Sequence, residues 1–483
     1  MREALTVAVL AAWPSLVIAV SWMRVGVERL RLLATLAAGA MTMAALAVAV
    51  APPLRAISVV SGALTAAAGG EALLRIDALS SVLLPLTAAL WLLTMTVTPR
   101  GALDAGGIRR TALATLVTAA SFLTESAVLL FLLSAVSVLT FLAALEGHRH
   151  QRRIVAVYLG ASTLMLGAGV ALLVGPGARG GPLETAAIGL IVVSALVRKG
   201  IVPFHAWVPE VYDRGRLGPA ILFTAPQSGA YLVVVLIVPR ASPETLRLIA
   251  ALALATAVYG AALALVQSSA RRACGYLFVS QSALVMAGLD CTSATALAGG
   301  LLVWLSSGLA FGGLARCILV LEARRGRLDL TTSHGGYDRM PALATSFLVM
   351  GLACTGFPGT LGFVGQELLV GGAIGSFPIM GFAVVVAAAL TGLAVLRMYF
   401  SLFCGRPSPR VHASLQLGLT RREAWAFVLL ATVLIGFGVV PRPLAQSQFA
   451  AADEILRVRI SLSLPKIRVA VPQDQIVSSR PAG

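Results

Sequence analysis

Read along its hydrophobic and polar positions, the chain is a series of long apolar runs separated by short segments that hold most of its charge. Each run approaches the ~20 residues that an α-helix needs to cross a bilayer. Fourteen spans are predicted, over residues 4–22, 32–51, 79–98, 111–124, 126–145, 154–174, 184–201, 218–238, 244–268, 273–289, 294–320, 341–368, 378–404 and 423–441. Only Glu125 divides the fourth from the fifth. The first is read as a full span and not as a secretory leader, since no clear small-x-small cleavage site precedes a soluble domain. In a bilayer, backbone polar groups must be satisfied within the segment, so the fold class is all-α and polytopic.

Composition agrees. The chain is 58% hydrophobic and 12% charged, against about 25% charged for a soluble domain. The net charge of +17 raises a nucleic-acid reading, but the basic residues do not cluster on one soluble segment. They fall in alternate loops. Odd-numbered loops hold Arg24, Arg29 and Arg31, then Arg100, Arg109 and Arg110, and so on to Arg421 and Arg422. Even-numbered loops hold only Arg55, Arg75, Arg179, Arg240 and Arg247. By the positive-inside bias this places odd loops in the cytoplasm and both termini outside, in a multi-pass protein of the cell inner (plasma) membrane. The partners implied are the lipid bilayer and no nucleic acid.

The five cysteines lie in or beside apolar runs without CxxC or Cys/His spacing, as small core residues do. No metal site, phosphate-cradling glycine loop or nucleophile elbow is present, and no cofactor is expected. Any catalysis must therefore come from a partner, because this chain holds no catalytic site of its own. The segment ILRVRISLSLPKIRV, within the basic tail from Asp453, alternates apolar and polar residues. That suits an extended strand, a surface-lying segment against a neighbouring subunit, or a disordered tail.

Two places interrupt the apolar pattern with polar chemistry. In VRKGIVPFHAWVPEVY, Val197 to Tyr212, the adjacent cations Arg198 and Lys199 are followed by Pro203 and His205. Proline cannot donate to the helix and disfavours helix before it, so the seventh span should break there. In ACTGFPGTLGFVGQELL, Ala353 to Leu369, Gly356, Pro358, Gly359 and Gly362 open the twelfth span ahead of Gln366 and Glu367. Broken backbone and ionisable groups at membrane depth mark ion paths. Interruptions at corresponding places in two halves point to inverted repeats. The expected organisation is N-terminal helices over 1–110, a first five-helix repeat over 111–238, a second over 239–405, and a last helix with a basic tail over 406–483.

With these segments, the chain resembles the antiporter-like membrane subunits of respiratory complex I. The wider superfamily includes Mrp-type cation/proton antiporters, membrane-bound hydrogenases and the membrane half of inorganic-carbon accumulating pairs. Besides the two broken segments, LLRIDALSSVLLPLTAALWLL from Leu73 and ALVQSSARRACGYLFVSQSALVMAGL from Ala264 carry the likeness. The resemblance implies a proton route in which a seventh-span lysine pairs with a fifth-span glutamate. Lysines or histidines of the eighth, eleventh and twelfth spans continue it. A lysine held near a carboxylate in low dielectric takes up or loses its proton as the partner moves.

This chain departs from that pattern. Arg198 occupies the lysine position, with Lys199 next to it. Ser134 or Ala135 stands where the fifth-span glutamate is expected, leaving Glu125, at the end of the same span, as the nearest carboxylate. Gln227 stands near the eighth-span lysine, and Gly308 and Gly312 near the eleventh-span pair, with Arg316 a turn away. Gln366 takes the charged place of the twelfth span, with Glu367 adjoining it. Arginine scarcely deprotonates, so Lys199 is the better carrier of the two. The expected proton pathway is thus Glu125, Arg198, Lys199, His205, Gln227, Arg316, Gln366 and Glu367, with Arg316 also open to reading as an interfacial cation.

Three functions stay open. The chain is a proton-translocating, antiporter-like subunit of a multi-subunit complex resembling complex I, at most a translocase subunit of an NADH:quinone oxidoreductase-like assembly. Or it couples the proton gradient to a partner such as an inorganic-carbon uptake protein or cation antiporter. Or it is a non-conducting scaffold. Each implies other membrane subunits, and the first two a further partner, which can be a soluble catalytic one.

Overall fold

The computed structural model describes residues 2–23, 25–50, 57–59, 74–145, 149–175, 181–375, 377–405 and 418–463. The first part is α1 (Arg2–Val20), α2 (Val27–Val50), strands β1 (Ile57–Val59) and β2 (Leu74–Ile76), α3 (Ala78–Val97), α4 (Ala105–Ser121), α5 (Ala127–Ala144) and α6 (Arg149–Val174). The middle holds α7 (Pro182–Lys199), α8 (Trp207–Arg214), α9 (Leu217–Thr224), α10 (Ser228–Leu232), α11 (Pro243–Val266), α12 (Ala270–Leu289) and α13 (Ala294–Arg325). The rest is α14 (Pro341–Thr355), α15 (Leu361–Ala373), α16 (Ile379–Phe403), α17 (Arg421–Val439) and α18 (Arg442–Ser463). The strands pair antiparallel with Ile57 opposite Ile76.

Among the described residues nine helical stretches are long and apolar enough to cross a membrane. The pair Pro182–Lys199 and Phe204–Arg214, bent by 40°, makes a tenth. Thr6–Val20 of α1, α14 and α15 are shorter apolar helices. The protein is therefore a mostly helical, multi-pass membrane protein. The Ser121–Ala127 gap around Glu125 separates α4 from α5 as two helices.

Both sequence-marked breaks are built alike. α7 ends on Gly200 at φ 68°, a left-handed cap that glycine adopts without a Cβ clash. The Gly200 N–H donates to the Val197 carbonyl (3.1 Å) and the Ile201 N–H to the Leu196 carbonyl (2.9 Å). At the other break Gly356 has φ 75°. Its N–H donates to Ala353 (3.4 Å), and the Phe357 N–H to Leu352 (3.1 Å). This is the same two-bond closure of a helix C-terminus. A third break, between α9 and α10, lies at Pro226 and Gln227, where Gln227 adopts φ 54° without being glycine. After it α10 runs into a π-helical turn, Val233–Ile237.

The core centres on α13, whose apolar stretch is wholly buried. It packs on α12, α14, α15 and α18. Gly288 of α12 meets Gly300 of α13 so closely that a Cβ there would fall 2.6 Å from the Gly300 Cα. Small residues let membrane helices approach in this way.

The tail departs from the strand alternative. Residues 455–463 continue α18, and the remainder of the tail lies outside the described residues. Among the described residues no strand pairs with this segment, and a helix closes its backbone bonds locally. Ala451, Ala452 and Ile455 are buried, and the Arg75 guanidinium holds Glu454 at 2.6 Å.

Candidate functional site

The break after α7 aims two neighbouring cations in different directions. Both are buried. Arg198 turns to α6, donating from Nε to Ser162 Oγ (3.1 Å) and from Nη2 to Thr163 Oγ1 (3.1 Å). Lys199 turns to the third break, and its Nζ donates to Gln227 Oε1. Gln227 Nε2 donates to Ser307 Oγ (2.9 Å), and Ser307 donates on to the Trp304 carbonyl (3.1 Å). One hydrogen-bonded chain thus joins α7, the α9–α10 break and α13. The Trp304 indole N–H holds the Pro226 carbonyl (2.9 Å), pinning that break to α13. From α12, Ser282 Oγ donates to the Lys199 carbonyl (2.9 Å), one that the helix end leaves without its usual partner.

A cavity of about 20 Å³ lies here, lined by Arg198, Lys199, Thr224, Gln227 and Ser282 among others. That is about room for one water among polar partners. A larger cavity of about 320 Å³ opens among α3, α4, α5 and α9, lined by Thr94, Thr98, Arg110, Arg216 and Arg271. Phe223 lines both cavities. Its ring stacks on Phe141, with centroids 4.1 Å apart and planes at 3°, and meets Trp207 edge-on at 6.3 Å. An apolar ring shared by two cavities that hold polar side chains has the form of a hydrophobic constriction.

The remaining sequence candidates are dispersed. Arg316 does not snorkel to an interface. It is fully buried, and donates to the Gly312 carbonyl (2.8 Å), the Leu90 carbonyl (2.9 Å) and Thr94 Oγ1 (2.7 Å). It therefore ties α13 to α3 beside the larger cavity. Glu125 pairs with Arg75 (3.2 Å), which also holds Glu454, and its side chain is 49% exposed. His205 is half-buried and packs edge-on against Tyr259, 5.3 Å between centroids. Gln366 lies against Gly356 at the α14–α15 break, while Glu367 is exposed on the surface of α15. Pro203, Pro358, Gly359 and Gly362 stand at or beside the breaks as expected.

Sequence reasoning missed Asp290, just past the end of α12. It is 4% exposed, and neither carboxylate oxygen accepts a hydrogen bond from the described residues. A carboxylate closing an otherwise apolar run was the available signal. Ser280 and Gln281 on the same helix also carry buried polar atoms without a partner among the described residues.

Comparison with known proteins places the fold. The model of the transmembrane family described as NADH:quinone oxidoreductase/Mrp antiporter matches residues 101–391, more than half of the chain. The chain is 34% identical to NADH-quinone oxidoreductase subunit 14 of Thermus thermophilus over 215 residues, 44% of this chain and 48% of that one. It is 29% identical to NADH-quinone oxidoreductase subunit M of Pseudomonas aeruginosa over 260 residues, 52% of this chain and 50% of that one. The matched part thus spans about half the length of these relatives. A chain of respiratory complex I from Thermus thermophilus with bound NADH superposes with a TM-score of 0.81 at 19% identity, covering 95% of this chain and 99% of that chain. One from the Mrp complex of Dietzia sp. gives 0.81 at 18% identity, with the same coverage. These two likenesses show a shared fold. Together with the family match they settle the lineage: this chain belongs to the NADH:quinone oxidoreductase/Mrp antiporter transmembrane family.

Proposed function

We propose that this chain is the proton-translocating, antiporter-like membrane subunit of a multi-subunit energy-converting complex resembling complex I. The observation that carries the reading is the buried Lys199–Gln227–Ser307 chain, which crosses between helices at two broken spans. A titratable amine at membrane depth is expensive unless it serves an ion path. Here it lines a small cavity beside a larger one. Protons reach Lys199 from the larger cavity past Phe223 and leave it through the second half. Fourteen crossings follow if α7 with α8, α9 with α10, and α14 with α15 each count as one and the polar α18 is not counted. The like caps at Gly200 and Gly356 support inverted repeats over 111–238 and 239–405.

The basic loops then face the cytoplasm, and both termini face outward from the inner membrane. Other membrane subunits flank the chain. Glu367, exposed on an apolar helix, favours such a neighbour, because a charge facing lipid is costly. The relatives' own names, subunits of NADH-quinone oxidoreductases, support the same assembly.

The test is proton uptake by vesicles containing the assembled complex. Lys199→Ala is expected to cut the rate at least about tenfold, the equivalent of ~1.4 kcal/mol in the barrier. A wild-type rate in a fully assembled variant refutes the route. The scaffold reading has its own observation, since Gln227, Gly308, Gly312 and Gln366 store no protons where the family resemblance calls for ionisable groups. That result would make it the better reading.

A further inference from the structure

Arg198 and Lys199 are adjacent, buried and cationic, and none of the ion pairs among the described residues includes either of them. Arg198 uses Nε on Ser162 and Nη2 on Thr163, and its Nη1 donates to no described residue. Lys199 uses one N–H on Gln227 Oε1, out of the three donors that an ammonium carries. These acceptors are all neutral, so they satisfy donors without cancelling charge. Charge buried in a protein interior is costly unless an opposite charge accompanies it.

Both cations line the small cavity of about 20 Å³. Gly229 lets them lie together there. A Cβ at that position would fall 3.2 Å from both Arg198 Cβ and Lys199 Cγ, so the two stems share the space over a residue that has no side chain. Thr224, Gln227 and Ser282 line the same cavity as neutral polar groups, and Trp207, Phe223 and Phe278 contribute rings. No carboxylate is among the lining residues.

We propose that this cavity binds one small inorganic anion of the halide class, chloride in an ordinary salt solution, as a counter-ion shared by Arg198 and Lys199. The open Nη1 of the guanidinium and the open N–H groups of the ammonium are charge-assisted donors for it. The size agrees, because the space takes about one water and a halide is little larger, whereas sulfate or phosphate is too big. A metal cation is disfavoured, since the Ser162, Thr163 and Gln227 oxygens already accept from positive donors. A water in the same place satisfies donors but cancels no charge. Loss of the Lys199 proton removes one charge only, because arginine keeps its own. The apolar rings hold bulk solvent off, so attraction between the ion and the two cations is weakly screened. Binding of the anion stands apart from the proton route, and it is tested without transport.

The test uses the assembled complex, with bromide and chloride as probes. Crystals soaked in bromide in place of chloride are expected to show an anomalous peak between Arg198 and Lys199. In solution, the melting temperature is expected to rise and saturate as chloride replaces gluconate, an anion too large for the cavity, at constant ionic strength and pH. Arg198→Gln should lose the peak and shift the chloride midpoint at least tenfold upward, and Arg198→Lys should recover part of that shift. A wild-type crystal without a peak at this place overturns the proposal. A chloride midpoint unchanged in assembled Arg198→Gln also overturns it. So does a peak that grows without saturating up to the highest bromide concentration, which marks an adventitious ion only. Should Arg198→Gln fail to assemble, Gly229→Ala carries the comparison, because its methyl crowds both stems at the cavity wall. The same tenfold shift is expected there, and an unchanged midpoint overturns the proposal.

Discussion

Gln227 separates stability from function more cleanly than any other residue of the site. Its backbone is left-handed, at φ 54°, a region that asparagine tolerates better than most residues. Gln227→Asn therefore keeps or eases the backbone while shortening the side chain by one methylene. The shorter amide no longer reaches both Lys199 Nζ and Ser307 Oγ, bonds the native side chain makes at once. A hydrogen bond to a charged group is worth about 1.5–3 kcal/mol, more than a neutral one. If that loss falls on the transfer step, the rate drops by roughly ten- to a hundredfold. The assay is initial proton uptake by vesicles carrying the purified, assembled complex, with its melting temperature measured in parallel. The expected result is slow uptake at an unchanged or slightly higher melting temperature. Full uptake at an unchanged melting temperature would show that the Lys199–Gln227–Ser307 chain takes no part in transport.

The remaining expectations concern other parts of the molecule. Phe223→Ala removes the ring shared by the two cavities, and should raise passive proton leak in vesicles without electron transfer, whereas Phe223→Trp should not. Arg316→Ala leaves the Thr94 hydroxyl and the Leu90 carbonyl without their guanidinium and opens a void, so the complex should melt lower, by about 3 kcal/mol in stability. Arg316→Lys, keeping one donor, should recover part of it. Cysteines placed singly at Ser479 and at Arg152 should label from opposite faces with an impermeant reagent, and labelling from the same face would refute the fourteen-span count with both termini outside.

The membrane fold was legible because its determinants are local. Apolar length alone marks a span, and proline with glycine alone marks a break, so the interruptions at Pro203 and Gly356 could be read before any contact was known. The third break shows the limit of that reading. Pro226 was visible, but the left-handed turn at Gln227 is held by Trp304 from a helix 78 residues away. The directions of Arg198 and Lys199 were also hidden, because successive residues on a helix point about 100° apart and sequence does not say which face meets which neighbour. Arg316 read equally well as an interfacial anchor, and only its bonds to α3 place it in the core. Glu125 is the carboxylate nearest the expected fifth-span position and Glu367 adjoins Gln366 beside the second break, and the fold turns both toward other surroundings.

The Arg198–Lys199 pair shows how a scaffold can carry a buried amine one residue away from the place the family resemblance assigns. Ser282 of α12 bonds the Lys199 carbonyl and fixes the end of α7. With arginine at the first position anchored on Ser162 and Thr163, the permanent charge is fixed toward α6, and the amine beside it is free to serve the path toward Gln227. A motif aligned residue by residue records a loss at position 198, whereas the packing turns the next residue, a buried lysine, toward Gln227.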